Sequence, residues 1–494
     1  MKNLSATKLY ALAFGLFLGL CIWKFGNPVI LDDKISAPAN ASDFLNEAWP
    51  AHWAGWIFAP LAALGALLVF QNKISRSPPK WLWWLPLAWL GWQFISATQS
   101  VDAGLTVMAL WQFSGCVACY FLGALLFARE RLLHWLFIGV LAAFAFCLVR
   151  AVNQRLFEFP QSQQALVDGE RNGWTNFPPE TVVEMKNENI IITTNGADMA
   201  NPVILDKFKR GRVSGTLVYP NALAGLILLL WPASLALAFG ATGKLKPFIR
   251  LAAIALTLFL GGAAFFWTGS KLGWLIGIGL AGMFLLRLDW SGKLKLAAVA
   301  TVLILGLGIF AVRFHHYFAA GATSAGARLD YWRAAAQTTA ARPLFGTGPG
   351  TFQRPYTQLK SPESEMARLT HNDYLEQFSD SGVVGGLAYA GWIFLVLATI
   401  WKNFWCPQTP SKVRSSRGDE AQTQNNMELP DVSCYGSKFG YSDVFFFAIF
   451  AGLLGWFVQG FGEFSLYVPA LAWTAFTLLG CLTGFSGKNE AASR

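Results

Sequence analysis

Four short stretches hold the residues with chemistry to offer. The first is Lys209-Arg210-Gly211-Arg212, followed by Tyr219-Pro220-Asn221; with Lys207 it sets four basic residues before an apolar segment. The second, Ala327-Arg328-Leu329-Asp330-Tyr331-Trp332, spaces Arg328, Tyr331 and Trp332 at i, i+3 and i+4, hence on one helix face. In the third, Leu369-Thr370-His371-Asn372-Asp373, Thr370 reads as an N-cap with Asp373 three residues on, which places His371 in the first helical turn. The positive end of a helix favours the neutral imidazole that a general base needs, and it attracts phosphate oxygens. The fourth stretch holds Glu463 in an almost uncharged neighbourhood. Each has a bland counterpart: the basic run and Arg328 as interface anchors, His371 as a surface residue at a helix start, Glu463 as a helix end in water.

The run Pro343-Leu344-Phe345-Gly346-Thr347-Gly348-Pro349-Gly350-Thr351-Phe352 is glycine-rich without being a nucleotide motif. No strand precedes it, no G-K-[ST] follows, and Pro349 removes a backbone donor. A tight turn between interfacial helices is the better reading. Cys116 and Cys119 have a C-x-x-C spacing, but they sit inside an apolar run and read as small buried hydrophobes.

The elements that must position these residues are membrane helices. The chain has 494 residues, 54% hydrophobic and only 13% charged, with 22 Trp and 41 Phe. Soluble domains carry roughly a quarter charged residues, and only a bilayer can take so much apolar surface. Apolar runs of near-spanning length predict an all-α polytopic membrane protein with about 12 transmembrane helices, the shortest runs extending into their flanks. Five helices occupy residues 1–152, four occupy 216–312 and three occupy 383–485, the last group interrupted by a polar loop at 402–442. Two long loops, 153–215 and 313–382, separate these groups. Residues 313–382 should be largely helical, and part of the stretch Thr181–Thr194 has the alternation of a small hairpin.

Basic residues sort the loops. Lys73, Arg76 and Lys80, then Arg129 and Arg131, then Lys244, Lys246 and Arg250, then Arg287, Lys293 and Lys295 all fall on one side. Both termini and the 402–442 loop share it, so both termini are expected in the cytoplasm and the two long loops on the outer side. The net charge of +10 thus belongs to membrane topology and does not call for nucleic acid.

In this order and spacing, the motifs resemble a known family. They are R-x-x-G-T with P-N-x-x-A (Arg212 to Ala224), R-L-x-Y-W (Arg328 to Trp332), G-x-G-x-G-x-F (Gly346 to Phe352), H-N-D-Y-L-E (His371 to Glu376) and E-F-S-L-x-x-P (Glu463 to Pro469). Together they resemble the O-antigen ligase family, which also takes in O-antigen polymerases and bacterial protein O-oligosaccharyltransferases. The stretch concerned runs from about Arg212 to Gly480.

The resemblance implies a GT-C-like glycosyltransferase of a bacterial inner membrane with its active site facing the periplasm. Its donor would be a glycan on undecaprenyl diphosphate. Its acceptor would be lipid A-core, another glycan or a protein, with membrane lipids around it and no metal or other cofactor. Carried over by residue, Arg212 and Arg328 would hold the diphosphate, His371 and Glu463 would be catalytic, and Asn372, Tyr331 and Asn221 would stand behind them. Where the family often has Arg after Ser, this chain has Ser270-Lys271; Lys271 keeps the charge and loses the bidentate fork. The rival from another class is a transporter or flippase of lipid-linked glycans, which would more often show internal repeats and ionisable groups at midplane.

Overall fold

The computed structural model describes residues 2–71, 80–194, 196–241, 246–319, 323–405 and 441–491. Lys73, Arg76, Lys244, Cys406, Cys434 and nearly all of the expected 402–442 connector lie outside them.

The chain opens with α1 (Lys2–Lys24), a 3-10 turn (Val29–Lys34) and the short α2 (Ala41–Asn46). Next come α3 (Ala51–Gln71), α4 (Lys80–Ala97), α5 (Ala103–Leu122) and α6 (Glu130–Asn153). The first long connection holds α7 (Phe159–Arg171), α8 (Pro179–Asn187), an antiparallel hairpin of β1 (Ile191–Thr194) on β2 (Ala197–Ala200), and α9 (Pro202–Arg210). Then follow α10 (Pro220–Ala241), α11 (Pro247–Thr268), α12 (Lys271–Leu286) and α13 (Gly292–Ala319). The second long connection carries α14 (Thr323–Ala341) and α15 (Gln353–Leu359), and α16 (Asp373–Trp405), α17 (Tyr441–Gln459) and α18 (Pro469–Ala491) complete the chain.

Among the described residues, eight helices are long and apolar enough to cross a membrane, and 271–286, 443–459 and 469–485 are shorter apolar helices. The protein is thus an all-α multi-pass membrane protein. At its centre stands α18, with every residue from Ser465 to Thr483 buried. Around it pack α1, α5, α10, α16 and α17. The α1–α6 crossing brings two backbones together at Gly15 and Gly139, where a Cβ on either would overlap the other helix's main chain. Membrane helices, lacking a hydrophobic drive between them, gain from such close approach.

Three expectations shift. Helix α6 does not stop near Val152: it runs through a π-helical turn at Gln154–Glu158 into α7, so the first connection begins as helix. The π turn lies just before Pro160, whose missing N–H would interrupt a regular α-helical ladder. The hairpin is real but displaced, since Pro179 at a helix start makes 179–187 helical and the strands fall at 191–200. Helix α16 begins at Asp373, ten residues before the apolar run, and breaks at Ser381 (φ −126°) and Gly382 (φ +70°).

Candidate active site

The break in α16 explains the glycine-rich turn. The Thr347 and Gly348 N–H groups donate to the Ser379 and Asp380 carbonyls (3.3 and 2.8 Å), Val383 N–H donates to Pro343 O (2.8 Å), and Gly350 N–H donates to the buried Asp380 carboxylate (2.7 Å). Ser96 Oγ adds a hydrogen bond to Phe345 O (2.5 Å) and Tyr467 donates to Asp380 (3.2 Å). Gly346, Gly348, Gly350 and Gly382 all have positive φ. These amides are spent on helix α16, so the turn is a clamp and not a phosphate cradle. It fixes the first turns of α16, and with them the residues just before it.

His371 lies outside the helix, contrary to the reading from spacing. Asn372 takes the N-cap, its Oδ1 accepting from Tyr374 and Leu375 N–H (3.1 and 3.0 Å). Thr370 is drawn elsewhere: its hydroxyl and N–H both donate to Glu376 (2.8 and 2.7 Å). Two adjacent residues that can cap compete here, and Asn caps at least as well as Thr. His371 is left in the left-handed region at φ +52°, an uncommon conformation for a non-glycine residue. Asp373 ties this corner to the segment after α17, donating its N–H to Gly460 O and Glu463 O (2.7 and 3.1 Å) and accepting from Leu466 N–H (3.1 Å).

Glu463 is only 1% exposed and sits at the centre of a polar hub. Its Oε1 accepts from Arg328 Nη2 (2.6 Å) and Asn221 Nδ2 (2.7 Å), and its Oε2 accepts from the Tyr219 hydroxyl (2.9 Å). Burial, with Glu463 beside it, pushes the Tyr219 hydroxyl well above its ordinary range, which keeps it a donor. Arg212 extends the hub, its Nη2 donating to Asn221 Oδ1 (2.8 Å) and its Nε to Thr268 O (2.7 Å). Burial, followed by the opposing pull of Glu463 and the repulsion of Arg328, leaves the Arg212 guanidinium below its usual range.

These groups face one cavity of about 250 Å³. Arg212, Asn221, Lys271, Arg328, Tyr331, His371 and Glu463 line it, joined by Ser270, Ser324 and Glu365 among others. Of the site residues carried over from the resemblance, Asn372 alone does not line it; it acts as the cap. The Lys271 ammonium stands 3.8 Å from the Tyr317 ring centroid on α13, and Ser270 caps α12 by accepting from Gly273 N–H (3.3 Å). The His371 ring lies between Tyr331 (5.9 Å between centroids) and Phe464 (4.6 Å). Its Nδ1 is buried without a hydrogen-bond partner, 3.7 Å from Glu463 Oε2. That is too far for a hydrogen bond, yet close enough for the carboxylate to stabilise an imidazolium. Among the described residues no three His, Cys, Asp or Glu side chains converge as a metal site needs.

Tyr219 and Glu365 were not singled out from the sequence. The signal for Tyr219 was its place beside Pro220-Asn221 in a kinked helix start; Glu365, in a polar stretch, gave none.

The geometry is thus three cations, a carboxylate that orders two donors toward them, and an imidazole, at one end of a membrane bundle. It can bind a multiply charged anion and accept a proton beside it. No curated protein matches the chain. Residues 256–390 match the family model described as O-antigen ligase, a stretch that holds Lys271, Arg328 and His371, while Arg212, Asn221 and Glu463 complete the cavity from outside it. Over residues 256–390 the chain is thus similar to the O-antigen ligase family.

Proposed function

We propose that this protein moves a glycan from an undecaprenyl-diphosphate carrier to an acceptor hydroxyl, on the periplasmic side of a bacterial inner membrane that it crosses twelve times with both termini cytoplasmic. The similarity of residues 256–390 to the O-antigen ligase family supports a glycan-transferring role in cell-surface assembly; carrier, side and topology extend that reading. The observation that carries it is the convergence of Arg212, Lys271 and Arg328 on a cavity that also holds His371.

In this mechanism the bond between the anomeric carbon and the phosphate oxygen breaks as the acceptor oxygen attacks. The leaving diphosphate gains charge, which Arg212, Arg328 and Lys271 stabilise more than they stabilise the bound donor. His371 takes the proton of the acceptor hydroxyl. Glu463, which accepts three hydrogen bonds, sets the aim of Arg328 and Asn221 and offsets the charge that forms on His371. No step requires a metal or other cofactor.

Purified His371→Ala incubated with a lipid-linked donor tests this: full transfer would sink the mechanism, whereas the expected result is inserted, abundant and inactive protein. The acceptor class is read from the glycan profile of a deletion strain. Loss of chain length assigns a polymerase, loss of attachment to lipid A-core a ligase, and loss of glycoprotein a protein glycosyltransferase.

A further inference from the structure

Each of the three cations that line the cavity is held in a different way. Arg328 is held by the Glu463 carboxylate at 2.6 Å, which cancels much of its charge. Arg212 is held by neutral oxygens, Thr268 O at 2.7 Å and Asn221 Oδ1 at 2.8 Å. Lys271, the half-buried first residue of α12, is held by neither kind of group. Among the described residues no ion pair reaches it. Its ammonium stands instead over two rings of α13, 3.8 Å from the centroid of Tyr317 and 5.5 Å from that of Phe314.

Nothing in its own stem keeps such a lysine in place. The four-carbon chain is flexible, and Arg212 and Arg328 repel the ammonium across the cavity. The face of an aromatic ring attracts an ammonium without carrying a charge of its own. It can therefore fix the lysine and leave its charge whole, which a carboxylate cannot do. The Tyr317 ring is itself fixed at the start of α14. Its hydroxyl accepts from Ala325 N–H (3.1 Å) and shares a hydrogen bond with Ser324 Oγ (2.8 Å), and Ser324 lines the cavity. Phe314, one turn earlier on α13, is buried and meets Trp274 of α12 edge to face, 6.0 Å between centroids.

Resting on the function proposed above, we propose that Tyr317 is a positioning residue for the donor's diphosphate, its ring holding Lys271 beside that group as an uncompensated ammonium. Tyr317 does not line the cavity and acts through the lysine. Its ring joins α12, through Lys271, to α14, which carries Arg328. The two cations on these helices then meet the diphosphate with unequal charge: Arg328 shares its own with Glu463, and Lys271 brings the whole of its own.

The test is a double-mutant cycle read as equilibrium binding of undecaprenyl diphosphate to the full-length protein in detergent. Tyr317→Leu should weaken binding about fivefold, the worth of a partly desolvated contact between ammonium and ring. Lys271→Met should weaken it at least as much. Adding Tyr317→Leu to Lys271→Met should then change nothing, because the ring has no cation left to hold. Tyr317→Phe keeps the ring face and gives up the contacts with Ser324 and Ala325, so it should lose less than the leucine variant. Tyr317→Gln stands in for Tyr317→Leu if that variant does not fold. An equal loss with and without Lys271, or no loss in either case, overturns the assignment, as does a phenylalanine variant as weak as the leucine one. Failure of the unaltered protein to bind the probe overturns instead the diphosphate reading on which the assignment rests.

Discussion

Replacing Glu463 separates a positioning carboxylate from a catalytic base. Glu463→Ala orphans three donors at once: Arg328 (2.6 Å), Asn221 (2.7 Å) and Tyr219 (2.9 Å). Removing one partner of a buried ion pair costs about 3–5 kcal/mol. Arg328 keeps 23% of its side-chain exposure, so water repays part of this and the expected loss is about 2–4 kcal/mol. Glu463→Gln is milder. Its carbonyl can still accept from Arg328 and Asn221, and its amide can donate to the Tyr219 oxygen. Only the charge is lost, at about 1–2 kcal/mol. Thermal unfolding in detergent and steady-state kinetics with a lipid-linked donor read both variants. The alanine variant should be less stable, with kcat down at least about a hundredfold, since each 1.36 kcal/mol lost from the transition state is about tenfold. The glutamine variant should fold, lose about tenfold in kcat, and bind donor more tightly, because Arg328 is no longer neutralised. Complete loss of turnover in Glu463→Gln with an unchanged donor KM would refute the positioning role. So would an alanine variant as stable as the unaltered protein.

Other substitutions probe neighbouring claims. Because His371 sits at φ +52°, His371→Gly should unfold later than His371→Ala by about 1–2 kcal/mol, with neither transferring glycan; the opposite order in thermal unfolding would remove the strain argument. Arg212→Lys cannot span both Thr268 O and Asn221 Oδ1, so donor KM should rise about tenfold, and an unchanged KM counts against a diphosphate role. Gly348→Ala, at φ +102° with its Cβ 2.5 Å from Ser100 Oγ, should cost roughly 2–4 kcal/mol. Gly91→Ala on α4 meets nothing within 4 Å and should be neutral or stabilising by up to about 1 kcal/mol; equal losses in the two would deny the clamp its role.

Apolar run length marked the membrane helices well, because the bilayer reads length and composition with little regard to neighbours. Where runs failed, a second signal had won. Helix α6 ran on through a π turn into α7 despite Pro160, and Asp373 to Ser381 formed membrane-bundle helix although Asp373, Glu376 and Asp380 interrupt the apolar pattern. Those three acids were illegible as a set. What makes their burial bearable is non-local: Leu466, Thr370, Gly350 and Tyr467 supply the partners. The site residues lie up to 251 positions apart in sequence, from Arg212 to Glu463, and motif order alone singled them out. It could not foresee that Tyr219 and Asn221 would share Glu463 with Arg328, nor that Asn372 would displace Thr370 as cap.

The interruption of α16 also insulates the chemistry mechanically. A thicker or thinner bilayer makes spanning helices tilt, and an unbroken α16 would carry every such tilt to His371 as to the end of a lever. Here the ladder parts at Ser381 and Gly382, and the turns nearest the histidine are sewn to the 343–350 turn and to the segment after α17. The same turn also holds Val383 beyond the break, so the loops grip α16 on both sides of it and set the pose of His371 beside Glu463.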